Sequence, residues 1–178
     1  MAAAKHTLVA LVEDKPGVLN RVANLFRRRG FNIESIAVGH SESPNISRMT
    51  IVVDGKTTSV EQVRKQLEKV IDVVRVTEIS SDDMISRELA LIKVKTTPAT
   101  RSEVMQIVDI FRANIVDVGI EALTVEVTGD EEKINSLLGL LDGFGIRELA
   151  RTGRIAMTRR GAGPPKEVSK TRAGKSEE

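Results

Sequence analysis

The sequence predicts an α+β fold built from two tandem ferredoxin-like units, each of order βαββαβ. Two observations carry this. Apolar, β-branched runs and amphipathic stretches alternate as strand, helix, strand, strand, helix, strand over residues 5–80. The same order returns over residues 87–160, after the polar break Ser80-Ser81-Asp82-Asp83 and a linker placed at 81–86. That order lets two helices cover one face of a four-stranded antiparallel sheet. The two units share element order but little residue identity.

In the first unit, residues 7–12 (TLVALV) read as a central strand, apolar and β-branched. Residues 16–29 follow as a helix, with Val18, Leu19, Val22, Leu25 and Phe26 on one face. Pro16 suits the first helical position, where a missing N–H costs nothing. Arg27-Arg28-Arg29 complements the helix C-terminus, and Gly30 supplies the left-handed residue that closes it. Residues 31–38 and 48–53 are strands, joined by the polar stretch 39–47. Asp54-Gly55 turns the chain into a helix that starts at Thr58 or Ser59. Thr58 with Glu61, or Ser59 with Gln62, fits a capping box, and Val60, Val63, Leu67 and Val70 form the buried face. Residues 73–79 make the fourth strand.

In the second unit, residues 88–95 are a strand. Thr100 and Glu103 fit a capping box for a helix bearing Val104, Ile107, Val108 and Phe111. Short strands at 115–118 and 123–127 flank Gly119. Asp130 opens a helix with Ile134, Leu137, Leu138 and Leu141 inward, and Gly143 and Gly145 end it. Residues 146–151 and 154–158 read as a final pair of strands around Gly153. The charged, apolar-poor tail 161–178 is expected to be disordered.

Composition excludes several functions. There is no cysteine in the 178 residues, hence no disulfide, thiolate metal site or Cys nucleophile. The net charge is +2 with both signs interleaved, which gives no broad field for nucleic acid. RNA-reading sheets stack bases on strand aromatics, and these strands offer Phe31 at most. His6 and His40 stand in no metal-ligand spacing. Gly55-Lys56-Thr57 lacks the Gly five positions earlier that a phosphate loop needs, since Thr50 stands there. No signal core and no run near ~20 apolar residues occurs, so a cytoplasmic, membrane-free protein is expected.

What remains is the turn Glu13-Asp14-Lys15-Pro16-Gly17-Val18-Leu19, where the first strand gives way to the first helix. Gly17 has no side chain to shield the free N–H groups of the new helix. Those groups and the positive end of the helix dipole suit a carboxylate. Asp14, ionised beside them, suits an ammonium. A free amino acid carries both groups, so the turn is expected to read an amino-acid effector.

Asp14-Lys15-Pro16-Gly17-Val18-Leu19 resembles the Asp-x-Pro-Gly-x-Leu signature of ACT domains, small regulatory modules that bind amino acids. The resemblance sharpens through residues 25–36 (LFRRRGFNIESI), 47–51 (SRMTI) and 66–73 (QLEKVIDV). It continues in the second unit through residues 87–94 (RELALIKV) and 110–118 (IFRANIVDV), and it covers roughly residues 7–160. The chain resembles the small, regulatory subunits of acetolactate synthase (acetohydroxyacid synthase).

The resemblance implies a subunit with no catalysis of its own. It would bind a large catalytic subunit that carries thiamine diphosphate, Mg²⁺ and FAD and condenses pyruvate. It would raise that subunit's activity and confer feedback inhibition by branched-chain amino acids, chiefly valine. The ACT units are expected to pair side by side as a homodimer, with effector at the interface. Effector contacts fall on Asp14, Gly17, Val18 and Leu19 of one chain and on Asn32 and Ile33 of the other. Many bacterial members carry Asn where this chain has Asp14, which leaves effector preference open. The alternative is a free-standing ACT-type sensor with no partner enzyme.

Overall fold

A computed structural model describes residues 5–55, 59–79 and 84–159. The first unit runs β1 (Lys5–Glu13), α1 (Val18–Arg29), β2 (Ile33–His40), β3 (Ile46–Asp54), α2 (Val60–Leu67), β4 (Val73–Ile79). The second runs β5 (Met84–Lys95), α3 (Arg101–Ile110), β6 (Asn114–Val118), β7 (Ala122–Gly129), α4 (Glu131–Asp142), β8 (Ile146–Arg151), β9 (Ile155–Thr158). Both sheets are antiparallel, ordered β2-β3-β1-β4 and β6-β7-β5-β8. Each unit thus has the ferredoxin-like strand order predicted for it.

Sequence period decides what each element buries. In β1, Leu8, Ala10 and Val12 point to the helices and meet Met49, Ile51 and Val53 of β3. Val18, Val22, Leu25 and Phe26 of α1, with Val63 and Leu67 of α2, close that core. Phe26 also meets Phe31 edge-on, with centroids 5.9 Å apart. In the second unit Ala90, Ile92, Val94, Leu123, Val125 and Val127 face Val104, Val108, Ile134, Leu137 and Leu141.

The other face of the first sheet is covered as well. β5 is long enough to serve two neighbours. Its first part, Met84 to Arg87, pairs with β9, and its second part pairs with β7 and β8. The β5–β9 ribbon lies on the first sheet, where Ala156 and Met84 pack against Val9 and Ile79. Arg48 Nη2 donates to the Ala156 carbonyl at 2.8 Å. Thr7, Thr50 and Val52 are buried on this same side.

Several expectations need correction. Met84, Ile85 and Ser86, assigned to the linker, belong to β5; residues 80–83 and 160–178 lie outside the described residues. β8 and β9 do not form a hairpin with each other. Thr152 still holds β5, its N–H donating to the Leu89 carbonyl at 2.9 Å, and the chain then turns toward the first sheet. The helix α1 begins at Val18, not Pro16, because Gly17 adopts φ 87°, a left-handed conformation outside the helix.

The capping boxes do not form as read. Thr100 Oγ1 turns back to Thr97, accepting its N–H at 3.0 Å, and Ser59 caps α2 without a side-chain bond. The alternative cap Thr58, like Lys56 and Thr57, lies outside the described residues. Asp130 does cap α4, accepting from the Lys133 N–H at 2.8 Å. Gly30 closes α1 at φ 66°, as expected.

Candidate functional site

The turn after β1 is fixed from both sides. Glu13 N–H donates to the Asp72 carbonyl at 2.9 Å, and Asp14 N–H donates to the Asn45 carbonyl at 2.8 Å. The backbone then lifts through Pro16 and Gly17 into α1, whose first helical bond runs from Arg21 N–H to the Gly17 carbonyl at 3.0 Å. Leu19 and Asn20 therefore begin the helix with N–H groups that have no helical acceptor. Gly17 faces open space, for a Cβ built on it would meet nothing within 4 Å.

The six candidate residues occupy different surroundings. Asp14 is part-exposed, with its carboxylate 3.2 Å from His40 Nδ1. Leu19 is half-exposed beside the turn, whereas Val18 turns inward and is 3% exposed within the first core. Val18 thus offers main chain at the turn while its side chain packs beneath it. Asn32 is exposed and donates Nδ2 to Glu34 Oε1 at 2.9 Å, which leaves its amide oxygen as an acceptor. Ile33 is half-buried and packs against the core.

Within one chain these residues form two groups. Asp14, Gly17, Val18 and Leu19 stand where α1 begins, and Asn32 and Ile33 stand just past its end. Helix α1 has 12 residues and so separates them by ~18 Å. No single small molecule reaches both. A site using all six takes each group from a different chain.

The structure adds His40 and Asn45 to the turn. His40 ends β2 and reaches Asp14 because the C-terminal end of β2 and the start of β3 lie beside the end of β1. Nothing in the local pattern around His40 signals this, since Asp14 lies 26 positions earlier and only strand order joins them. Asn45 takes φ 61°, a conformation that Asn tolerates well, and turns its carbonyl to the Asp14 N–H. Among the described residues, no group of three or more His, Asp or Glu side chains is placed to hold a metal ion, and no helix is long and apolar enough to cross a membrane.

Residues 8–75 match the family model described as AHAS small subunit-like ACT domain, and residues 87–160 match the one described as small subunit of acetolactate synthase. The acetolactate synthase small subunit of Mycobacterium leprae is 56% identical over 86% of this chain and 91% of its own length. The chain belongs to the acetolactate synthase small-subunit family. A probable acetolactate synthase small subunit from Archaeoglobus fulgidus is 54% identical over 87% of this chain and 97% of its own length. The crystal structure of the acetolactate synthase small subunit from Thermotoga maritima aligns with a TM-score of 0.83 at 44% identity, covering 89% of this chain and 99% of that one. As a small subunit of acetolactate synthase, the chain implies a large catalytic partner, and its first unit is an ACT domain.

Proposed function

We propose that this small subunit raises the activity of the acetolactate synthase large subunit and makes it subject to feedback inhibition by branched-chain amino acids, chiefly valine. The observation that carries the reading is the helix opening at Gly17, with free N–H groups, clear space in front and a carboxylate alongside. The N–H groups take the effector carboxylate, charge-assisted by the helix dipole. Asp14 and the Asn32 amide oxygen take the ammonium. Leu19 and Ile33 bound the aliphatic side chain.

The chain acts as a homodimer in this reading. β2 is an edge strand of the first sheet. Two copies joined edge to edge through antiparallel β2 strands bring the start of one β2, with Asn32 and Ile33, to the end of the other. That end lies beside Asp14 and His40, which unites the two halves of the site. Working at ~0.1–1 mM needs only about 4–5.5 kcal/mol of binding. One buried isopropyl group, about 1.5–3 kcal/mol, and the charge-assisted bonds supply it.

The chemistry stays on the large subunit, which would hold thiamine diphosphate, Mg²⁺ and FAD, with none of these on this chain. The complex would work in the cytoplasm. Inhibition follows if effector favours one arrangement of the assembly over another. The test is reconstitution. The purified chain alone should show no turnover, and its mixture with the large subunit should be faster and valine-sensitive. Amino-acid binding with no effect on the large subunit would support a free-standing sensor instead.

A further inference from the structure

A groove of about 810 Å³ runs between α1 and α2 on the side of the first sheet away from the second unit. Its lining includes five cations, Arg21, Arg27, Arg28, Arg29 and Lys69, and no carboxylate. Arg21 is bound to Asp72 at one end of the groove. The other four form no ion pair among the described residues, as is also true of Arg75, Lys95 and Arg112 outside the groove. Ile71, 80% exposed, adds an apolar contact at the rim.

We propose that this groove docks an acidic segment of the acetolactate synthase large subunit. The helix dipole accounts for cations in the last turn of α1. Lys69 follows the C-cap Glu68 of α2, so the C-terminal ends of both helices bring their cations to the same space. Unpaired cations of one sign along a groove favour a complementary acidic partner and speed its capture. The place of the groove also links docking to the effector. Arg21 lies four residues after Gly17, and its partner Asp72 accepts the Glu13 N–H through its carbonyl. The docked segment and the effector therefore contact the same helix, one along its side and the other at its first turn. The proposal rests on the regulatory reading above and names where the catalytic partner is held.

The experiment titrates the full-length chain into the large subunit and reads the concentration that gives half-maximal stimulation. The double variant Arg27→Glu, Arg28→Glu should raise that concentration at least tenfold. Lys69→Glu should raise it several-fold, and Arg27→Lys with Arg28→Lys should keep it near wild type. Raising NaCl from about 50 to 300 mM should weaken the wild type more than the double variant. Valine binding by calorimetry should be retained, since the effector turn is untouched, and thermal melting reports whether each variant is folded. Folded charge-reversal variants that stimulate at the wild-type concentration would overturn the groove assignment. A wild-type chain that never stimulates the large subunit would overturn the regulatory reading and the groove with it.

Discussion

Gly153 touches the main chain of Ile36. A Cβ built at Gly153 would stand 2.2 Å from the Ile36 carbonyl oxygen and 3.0 Å from the Ala37 N–H nitrogen. The next residue, Arg154, donates its N–H to Ser35 Oγ at 2.8 Å. The corner between β8 and β9 is therefore pressed onto Ser35, Ile36 and Ala37 in β2 of the ACT unit, two to four residues beyond Ile33.

Gly153→Ala should force this corner away from the first sheet. The expected cost is about 1–3 kcal/mol, as for other overpacked sites. Chemical denaturation measures it. A variant as stable as wild type would show that the close approach is not maintained in solution.

Glu131 predicts a pH dependence for the same interface. Its carboxylate receives Lys5 from β1, with Arg154 and Arg151 nearby. The Lys5 hydrogen bond holds the carboxyl below the usual carboxylate range, against the burial that pushes it up. A lowered folded pKa means that the folded state favours the ionised form. Its contribution is present above the free-glutamate pKa of about 4.3 and is lost as pH falls through that value and the depressed one. Wild type should lose stability faster than Glu131→Gln between about pH 5 and 3. Parallel curves would contradict the assignment.

Removing the second unit should expose the outer face of the first sheet. Val9 and Ile79 are buried against Ala156 and Met84, and Thr7, Thr50 and Val52 lie on the same face. A fragment ending at residue 79 should retain amino-acid binding, because all six candidate residues lie within it. It should also self-associate through the uncovered apolar strip. Light scattering and calorimetry read the two properties, and a fragment that stays monodisperse would contradict the covering role of β9.

Gly17→Asp should abolish the valine response while leaving stimulation of the large subunit. The added carboxylate repels the effector carboxylate. Asp at φ 87° is strained by about 1–2 kcal/mol, which a folded domain tolerates. Inhibition curves with and without the substitution decide this. Full valine sensitivity in the variant would place the effector elsewhere.

Much of the fold was legible because the strands and helices declare their period. β4 and β8 match their predicted limits, since Val73 begins a β-branched run shortly after α2 and Ile146 follows the Gly143 and Gly145 that end α4. Other features depend on contacts distant in sequence. The sequence marks Gly153 as a turn, but only the backbone of β2 explains why β8 and β9 part there. Proline at the head of an amphipathic stretch suggested a helix starting at Pro16, yet the left-handed Gly17 outside the helix starts it at Val18. The Asp14 and Gly17 turn was readable from its local chemistry. The contact of His40 with Asp14 was not, because it arises from strand order. The helix read over residues 16–29 already set Asn32 and Ile33 apart from the turn, and the 12 residues of α1 give that separation its length of ~18 Å.

The most direct measurement is acetolactate formation by the large subunit, titrated first with this chain and then with valine. The account predicts a rate that rises to saturation with the chain and falls again as valine passes ~0.1–1 mM, with Gly17→Asp rising equally but not falling. A rate indifferent to the chain, or one that valine lowers equally in wild type and Gly17→Asp, would contradict it.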